Sequence, residues 1–265
     1  MTTLLRYEEF RDLHRAGAPL LLPNAWDHAS AAALAAAGFR AVGTTSLGVA
    51  AAAGLPDGTG ATRAETVRLA HGLARLDALI SVDIEGGFSD HPAEVAALAT
   101  ELADAGIVGV NIEDGRPDGT LRDLSHQCDI LHAVREAVGG RLFVNARTDT
   151  YWLPGAGKAP ETGRRLGAYR RAGADGVFVP GLRDLSVISE LTSGLEDTPL
   201  NTLHAPEGPS LPELAEAGVR RVSCGSLLFR AALGAAVAAA RNLSVSGDVP
   251  SYAETQALSG AFAFA

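Results

Sequence analysis

Short apolar runs alternate with longer amphipathic segments along most of the chain. The runs fall at 20–22, 41–43, 79–82, 108–112, 142–144, 176–179, a weaker 199–202 and 221–223. They lack the period-two alternation of half-exposed strands and suit parallel strands buried on both faces. Between them the spacing predicts helices over roughly 26–37, 62–77, 92–105, 123–138, 160–172, 183–193, 210–217 and 226–242. Four of these segments end in an alanine–glycine step, at Gly38, Gly106, Gly173 and Gly218. Glycine there supplies the left-handed residue that stops a helix before the next strand. Eight strand–helix units with no Pro/Ser-rich linker predict an α/β fold of the (β/α)8 TIM-barrel type, one domain over 1–265. An open doubly wound sheet competes, but its dinucleotide glycine fingerprint is missing.

Composition narrows the partners. The 265 residues are 47% hydrophobic and 20% charged, an ordinary globular balance, with 22 basic against 31 acidic side chains for a net charge of −9. That acidic balance argues against nucleic acid, whose phosphates need basic clusters to neutralise them, and against an anionic membrane surface. The two cysteines, Cys128 and Cys224, lie far apart, as in a reducing compartment. The N-terminus carries acids where a signal peptide needs an apolar run, and the alanine-rich stretch 231–240 is too short to span a bilayer. The expectation is a soluble cytoplasmic protein.

In such barrels chemistry sits where strands end. Those positions hold Asn24, Asp27 and His28; Thr45, Ser46 and Asp57; Asp83 and Glu85; Glu113 and Asp114; and Asn145, Arg147 and Asp149. Carboxylates from adjacent strands crowded on one rim repel unless a cation neutralises them. Oxygen ligands without a His/Cys cluster favour Mg2+, with Mn2+ second. Several of these residues also have ordinary structural roles. Asp27 reads as a helix N-cap, and Asp57-Gly58 and Asp114-Gly115 read as turn dipeptides. Asp83 and Glu113 end buried strands, where an unpaired acid is costly, so function is favoured for both. Arg147 either pairs with Asp83, Glu85 or Glu113 or binds an anion. Lys158 is the only lysine and falls in a loop, which disfavours a Schiff-base aldolase.

Five stretches, in order and spacing, resemble the isocitrate lyase/phosphoenolpyruvate mutase superfamily. They are Pro23-Asn24-Ala25-Trp26-Asp27, Thr44-Thr45-Ser46 through Asp57, Ser81-Val82-Asp83-Ile84-Glu85-Gly86-Gly87-Phe88, Gly109 through Asp114, and Asn145-Ala146-Arg147-Thr148-Asp149. Gly218 to Ser226 resembles the last strand of the group. The resemblance implies a Mg2+-dependent lyase that cleaves a C–C bond of a small 2-hydroxy or 2-oxo di- or tricarboxylic acid through an enolate. The metal would be held directly by Asp83, and through water by Asp57, Glu85 and Glu113. The catalytic set would be Arg147, Glu113 and Ser46. Ser46, Leu47, Arg147, Asn145 and Asn201 would bind the carboxylate substrate. Dimers or tetramers that exchange the last barrel helix are also implied, with 226–265 as the oligomerisation segment.

Three departures matter. The family's usual Asp-x-Asp is Asp83-Ile84-Glu85 here. The lyases' Lys-Lys-Cys-Gly-His signature is missing from the corresponding region Gly115-Arg116-Pro117-Asp118-Gly119-Thr120-Leu121-Arg122, which has no cysteine, lysine or histidine. The mutases' histidine after the sixth strand is Pro180, and the lyases' following glutamate is Gly181. The proton donor is therefore open between Glu113, a metal-bound water, Tyr151 and His204. Two alternatives stand beside the lyase: C–P bond chemistry on a phosphonopyruvate-like substrate, and a non-catalytic homologue that binds 2-oxo acids.

Overall fold

Each apolar run becomes a strand in the computed structural model, which describes residues 3–155, 158–245 and 247–263. The strands are β1 (Leu20–Leu22), β2 (Asn24–Ala25), β3 (Ala41–Thr44), β4 (Leu79–Asp83), β5 (Gly109–Glu113), β6 (Phe143–Arg147), β7 (Gly176–Val179), β8 (Leu200–Leu203) and β9 (Arg221–Ser223). All pair in parallel, in the order β1-β9-β8-β7-β6-β5-β4-β3-β2. β1 and β2 are two pieces of one barrel strand, broken at Pro23, which has no N–H to give a ladder. β1 pairs with β9 and β2 with β3, so the break lies at the point of closure and eight staves result. The Pro23 carbonyl still accepts from Gly43 N–H at 2.8 Å. Asn24 clasps the seam: its Nδ2 donates to Thr44 O at 2.7 Å, and its Oδ1 accepts from Cys224 and Gly225 N–H, both at 2.9 Å. A Cβ on Gly43 would come within 2.7 Å of Asn24 Nδ2, so the clasp requires glycine there.

The helices are α1 (Thr3–Leu13), α2 (His28–Ala36), α3 (Ser46–Ala53), α4 (Arg63–Leu73), α5 (Pro92–Ala105), α6 (Leu124–Val138), α7 (Ala159–Arg171), α8 (Leu185–Ser193), α9 (Leu211–Glu216), α10 (Leu227–Asn242) and α11 (Tyr252–Ala257). Strand residues such as Val42, Ile80, Val82, Val110, Ile112, Val144 and Val177 form one core with Leu73, Leu98, Leu102, Ile130 and Leu166 of the helices. Burial of each such side chain contributes about 1.5–3 kcal/mol, which makes this cluster the main source of stability. Gly38, Gly106, Gly173 and Gly218 all have φ between 91° and 101°, as the alanine–glycine steps predict.

Three helices lie outside the pattern predicted from the sequence: α1, α3 and the short α11. α1 sits at the N-terminal mouth of the barrel, where Tyr7 and Phe10 join Leu22, Ala41, Leu79 and Phe143 in a second core. Phe10 meets Phe143 edge-on at 5.4 Å, and His14 stacks on Phe143 at 4.4 Å. The spacing Tyr7, Phe10, Leu13/His14 marks this face. α3 lacks any polar face, so its Ser-Leu-Gly-Val-Ala-Ala-Ala-Ala run carries no helical period. At the other end of the chain α10 has one buried residue, Phe229, which meets Trp26 edge-on at 5.4 Å. Leu233 and Val237 on this helix are about half exposed, at 52% and 51%. Among the described residues no helix is long and apolar enough to cross a membrane.

Candidate active site

The C-terminal mouth opens into a cleft of about 330 Å3 lined by Ser46, Leu47, Asp57, Asp83, Asn111, Glu113, Arg116, Arg147, Asp149 and Phe178, among others. Strand register brings the charged groups together. Asp83 stands opposite Asn111, Glu113 opposite Arg147, and Arg147 opposite Phe178. Arg147 Nη1 meets Glu113 Oε2 at 2.8 Å and Nε meets Asp149 Oδ1 at 2.6 Å, with its guanidinium 5.7–5.8 Å from the Phe178 and Trp152 rings. Arg147 therefore pairs with Glu113, one of its three expected partners, and with Asp149, which the sequence places on the same rim without naming it as a partner.

Charge in the cleft is unbalanced. Burial pushes Asp83 up to about 6, against the lowering effect of Arg147, and Asp57 and Glu85 add repulsion. Glu113 is pushed up to about 8 for the same reason, with Asp149 and Asp83 repelling it. Burial disfavours the Arg147 cation, but Glu113, Asp149 and Asp83 outweigh that effect and hold it charged. Three buried acids thus share one guanidinium, and an added cation would relieve the excess.

The donor set suits a hard divalent ion. Asp83 is known to accept one hydrogen bond, from Glu85 N–H to Oδ1 at 3.2 Å, and Glu113 and Asp57 share the cleft with it. No group of three or more His, Cys, Asp or Glu among the described residues could by itself hold a metal. Asp83, Asp57 and Glu113 would therefore suit an ion only with water completing its coordination.

Glu85 departs from the other three acids. It is buried and not part of the cleft lining, and its two carboxylate oxygens accept from Gly60 N–H at 2.8 Å and the Thr62 hydroxyl at 2.6 Å. Its φ of +50° takes the chain off the strand path, so the Asp83–Glu85 alternation does not continue. Such a conformation is uncommon for a non-glycine residue and clusters at functional sites. Here it fastens the loop that carries Asp57.

Asn145 and Asn201 lie within the barrel, outside the cleft lining. Asn145 Nδ2 donates to Asn111 Oδ1 at 2.8 Å, and Asn201 Oδ1 accepts from Ser223 Oγ at 3.4 Å. Asn111, which holds Asn145, is the residue that faces the cleft. Its signal is its phase, two residues before Glu113 on the inward side of β5. Tyr151 and His204 are likewise not among the residues that line the cleft. Asp27 is the N-cap of α2 in a capping box with Ser30, as expected. Gly58 adopts φ +69°, as a turn glycine does.

Asp114-Gly115 is not a simple turn. Asp114 is fully buried; its Oδ2 accepts from Tyr169 OH at 2.5 Å and Arg165 Nη1 at 3.0 Å, and its Oδ1 from Asp149 N–H at 2.8 Å. A Cβ on Gly115 would fall 2.2 Å from Asp149 Oδ2, so the glycine makes room for the carboxylate that holds Arg147. The first turn of α3 also faces the cleft at Ser46 and Leu47. Thr45, its N-cap, offers no side-chain hydrogen bond, which leaves backbone N–H groups for an anion.

The family described as phosphoenolpyruvate phosphomutase matches residues 10–244. An uncharacterized protein of Mycobacterium tuberculosis is 45% identical over 251 residues, 94% of this chain and 95% of its own length. A protein named probable 2-methylisocitrate lyase 2, from Corynebacterium glutamicum, is 33% identical over 61% of this chain and 54% of its own. The crystal structure of a candidate phosphonomutase from Burkholderia cenocepacia J2315 superposes with a TM-score of 0.85 at 36% identity, covering 92% of this chain and 100% of that one. With a whole-barrel match and the acid–arginine rim in place, the chain belongs to the phosphoenolpyruvate phosphomutase family, within the isocitrate lyase/phosphoenolpyruvate mutase superfamily.

Proposed function

We propose that the protein is a Mg2+-dependent lyase that breaks a C–C bond in a small 2-hydroxy or 2-oxo di- or tricarboxylic acid and leaves the enolate of a 2-oxo acid. The observation that carries this reading is the meeting of Asp83, Glu113 and Arg147 in one cleft beside the uncapped first turn of α3. Asp83 would hold the cation, with Asp57 and Glu113 contacting it through water, and Mn2+ would serve in its place. When bound, the ion withdraws charge from the carboxylate and oxo oxygen of the substrate. Glu85 keeps the Asp57 loop in place and contacts the ion only if a water reaches it.

The Ser46 and Leu47 N–H groups receive the substrate carboxylate. Arg147, fixed by Asp149 and shielded by Phe178 and Trp152, donates to the oxygen on which charge develops as the bond breaks. A donor of that kind is worth about 2.7–4 kcal/mol. With a 2-oxo acid such as oxaloacetate, the far carboxylate leaves as CO2, the bond's electron pair passes to the 2-oxo-acid enolate, and its carbon then takes a proton. With a 2-hydroxy acid, the hydroxyl gives up its proton as its carbon becomes the oxo group, and the pair passes to the departing acid's α-carbon, which takes a proton. That proton would come from Glu113, whose Oε2 lies 2.8 Å from Arg147 Nη1, or from a water on the bound cation. Asn145 and Asn201 act indirectly, Asn145 through the Asn111 side chain.

Purified protein with Mg2+ is to be assayed against methylisocitrate, dimethylmalate, oxaloacetate and phosphonopyruvate. Turnover of one or more of the first three is expected. Phosphonopyruvate turnover alone would instead establish C–P chemistry, a second reading favoured by the 36% identity to the candidate phosphonomutase. Silence on all four would leave a binding protein. Asp83→Ala is expected to abolish Mg2+ binding in calorimetry, and unchanged affinity overturns the metal assignment.

The same reading includes exchange of α10 between subunits. α10 projects with Leu233 and Val237 exposed, and a partner barrel would cover them. Light scattering is expected to show a dimer or tetramer, and a 27.2 kDa monomer overturns this.

A further inference from the structure

Two cations line the cleft, and only one is paired. Arg147 is engaged by Glu113 and Asp149, whereas Arg116 makes no ion pair among the described residues, although it shares the cleft with four acids. Asp118, on the same hairpin, feels the Arg116 charge, but its Oδ1 is bound by the Thr120 N–H at 3.0 Å and hydroxyl at 2.5 Å.

The backbone that carries Arg116 is fixed. Residues Gly115 and Leu121 form an antiparallel bridge, Arg116 N–H donates to Thr120 O at 2.9 Å, and Gly119 N–H returns to Arg116 O at 3.0 Å with φ +79°. Below the hairpin, Arg122 is buried and ties it down: its N–H donates to Asp114 O at 2.7 Å, its Nη1 to Gln127 at 2.8 Å and its Nη2 to Asp90 at 3.0 Å. An arginine on a fixed rim, facing a cleft whose other guanidinium is occupied, is placed for a charge that the ligand itself brings.

We propose that Arg116 is a specificity-determining residue that receives a second, terminal anionic group of the substrate, whether carboxylate or phosphonate. It thereby selects 2-oxo acids with two anionic ends over monocarboxylates. This rests on the reading of the cleft as a 2-oxo-acid site. The α3 N-terminus and the cation take one end of the substrate, and Arg116 takes the other.

Calorimetry with Mg2+ tests it, using oxalate as a short probe of the inner end and 3,3-difluorooxaloacetate as a probe that spans both. Arg116→Ala is expected to weaken difluorooxaloacetate roughly tenfold or more, the effect of one charge-assisted pair. Oxalate affinity should stay within about twofold, which also reports an intact fold. Arg116→Lys should recover part of the loss, and added salt should narrow the gap between wild type and Arg116→Ala. Equal weakening of both ligands, or of neither, overturns the role of Arg116 and leaves the 2-oxo-acid site standing. Failure of wild-type protein to bind either ligand overturns both.

Discussion

The two mouths of the barrel are built from the same strands and have opposite chemistry. At the N-terminal mouth, inward positions of β1, β3, β4 and β6 are Leu22, Ala41, Leu79 and Phe143, and Phe10 of α1 fills the gap between them. At the C-terminal mouth, β4, β5 and β6 end instead in Asp83, Glu113 and Arg147. One end is sealed with apolar atoms, and the other holds buried charge in excess of its partners. The same strands thus provide stability at one end, and at the other a cleft whose acids repel one another.

That division predicts variants that separate stability from ligand affinity. Phe143→Ala should cost about 3–5 kcal/mol in urea denaturation and leave oxalate affinity unchanged; a parallel loss of affinity would break the division. Arg147→Ala should lower turnover by about 10²–10³, or about 2.7–4 kcal/mol, and should also lower the melting temperature, because it leaves Glu113 and Asp149 without their cation. Tyr169→Phe removes a donor from the buried Asp114 carboxylate. It should cost about 1–3 kcal/mol of stability and weaken turnover through the Asp149 contact that holds Arg147.

The pH dependence of stability has two slopes of opposite sign, each at most about 1.4 kcal/mol per pH unit. His14 at the sealed mouth is lowered from 6.5 to about 3 by burial and by Arg221, so the unfolded chain binds its proton more readily. Stability should fall as pH drops below 6.5 toward 3, and His14→Gln should remove that dependence. Glu113 is raised from 4.5 to about 8, so the folded state holds the proton. Stability of metal-free protein should fall as pH rises through that window, and Glu113→Gln should flatten the slope. Thermal melts in chelator across pH 3 to 9 read both.

The strands are legible in the sequence because parallel strands buried on two faces leave continuous apolar runs, and most helices because glycine marks where they stop. Asp83, Glu113 and Arg147 are legible because a charged residue at the end of such a run needs a reason to be there. The fate of Glu85 is not, since a single left-handed residue redirects its side chain and no pattern announces that. Asp114 was within reach: it falls on the outward phase of β5, where an acid needs partners, and Arg165 and Tyr169 of α7 supply them. α1 is hidden because Tyr7 and Phe10 sit among arginines and acids, and α3 because an unbroken alanine run has no period.

The Asn24 clasp sets an order of events. Ser223, Gly225 and Ser226 line the cleft, and Asn24 reaches the Cys224 and Gly225 N–H groups only once β9 has docked beside β1. During synthesis every acid named here leaves the ribosome well before that happens, so the ligand site is completed by nearly the last stave to arrive. A chain cut short before residue 221 would carry the full set of reactive side chains around a ring that cannot shut.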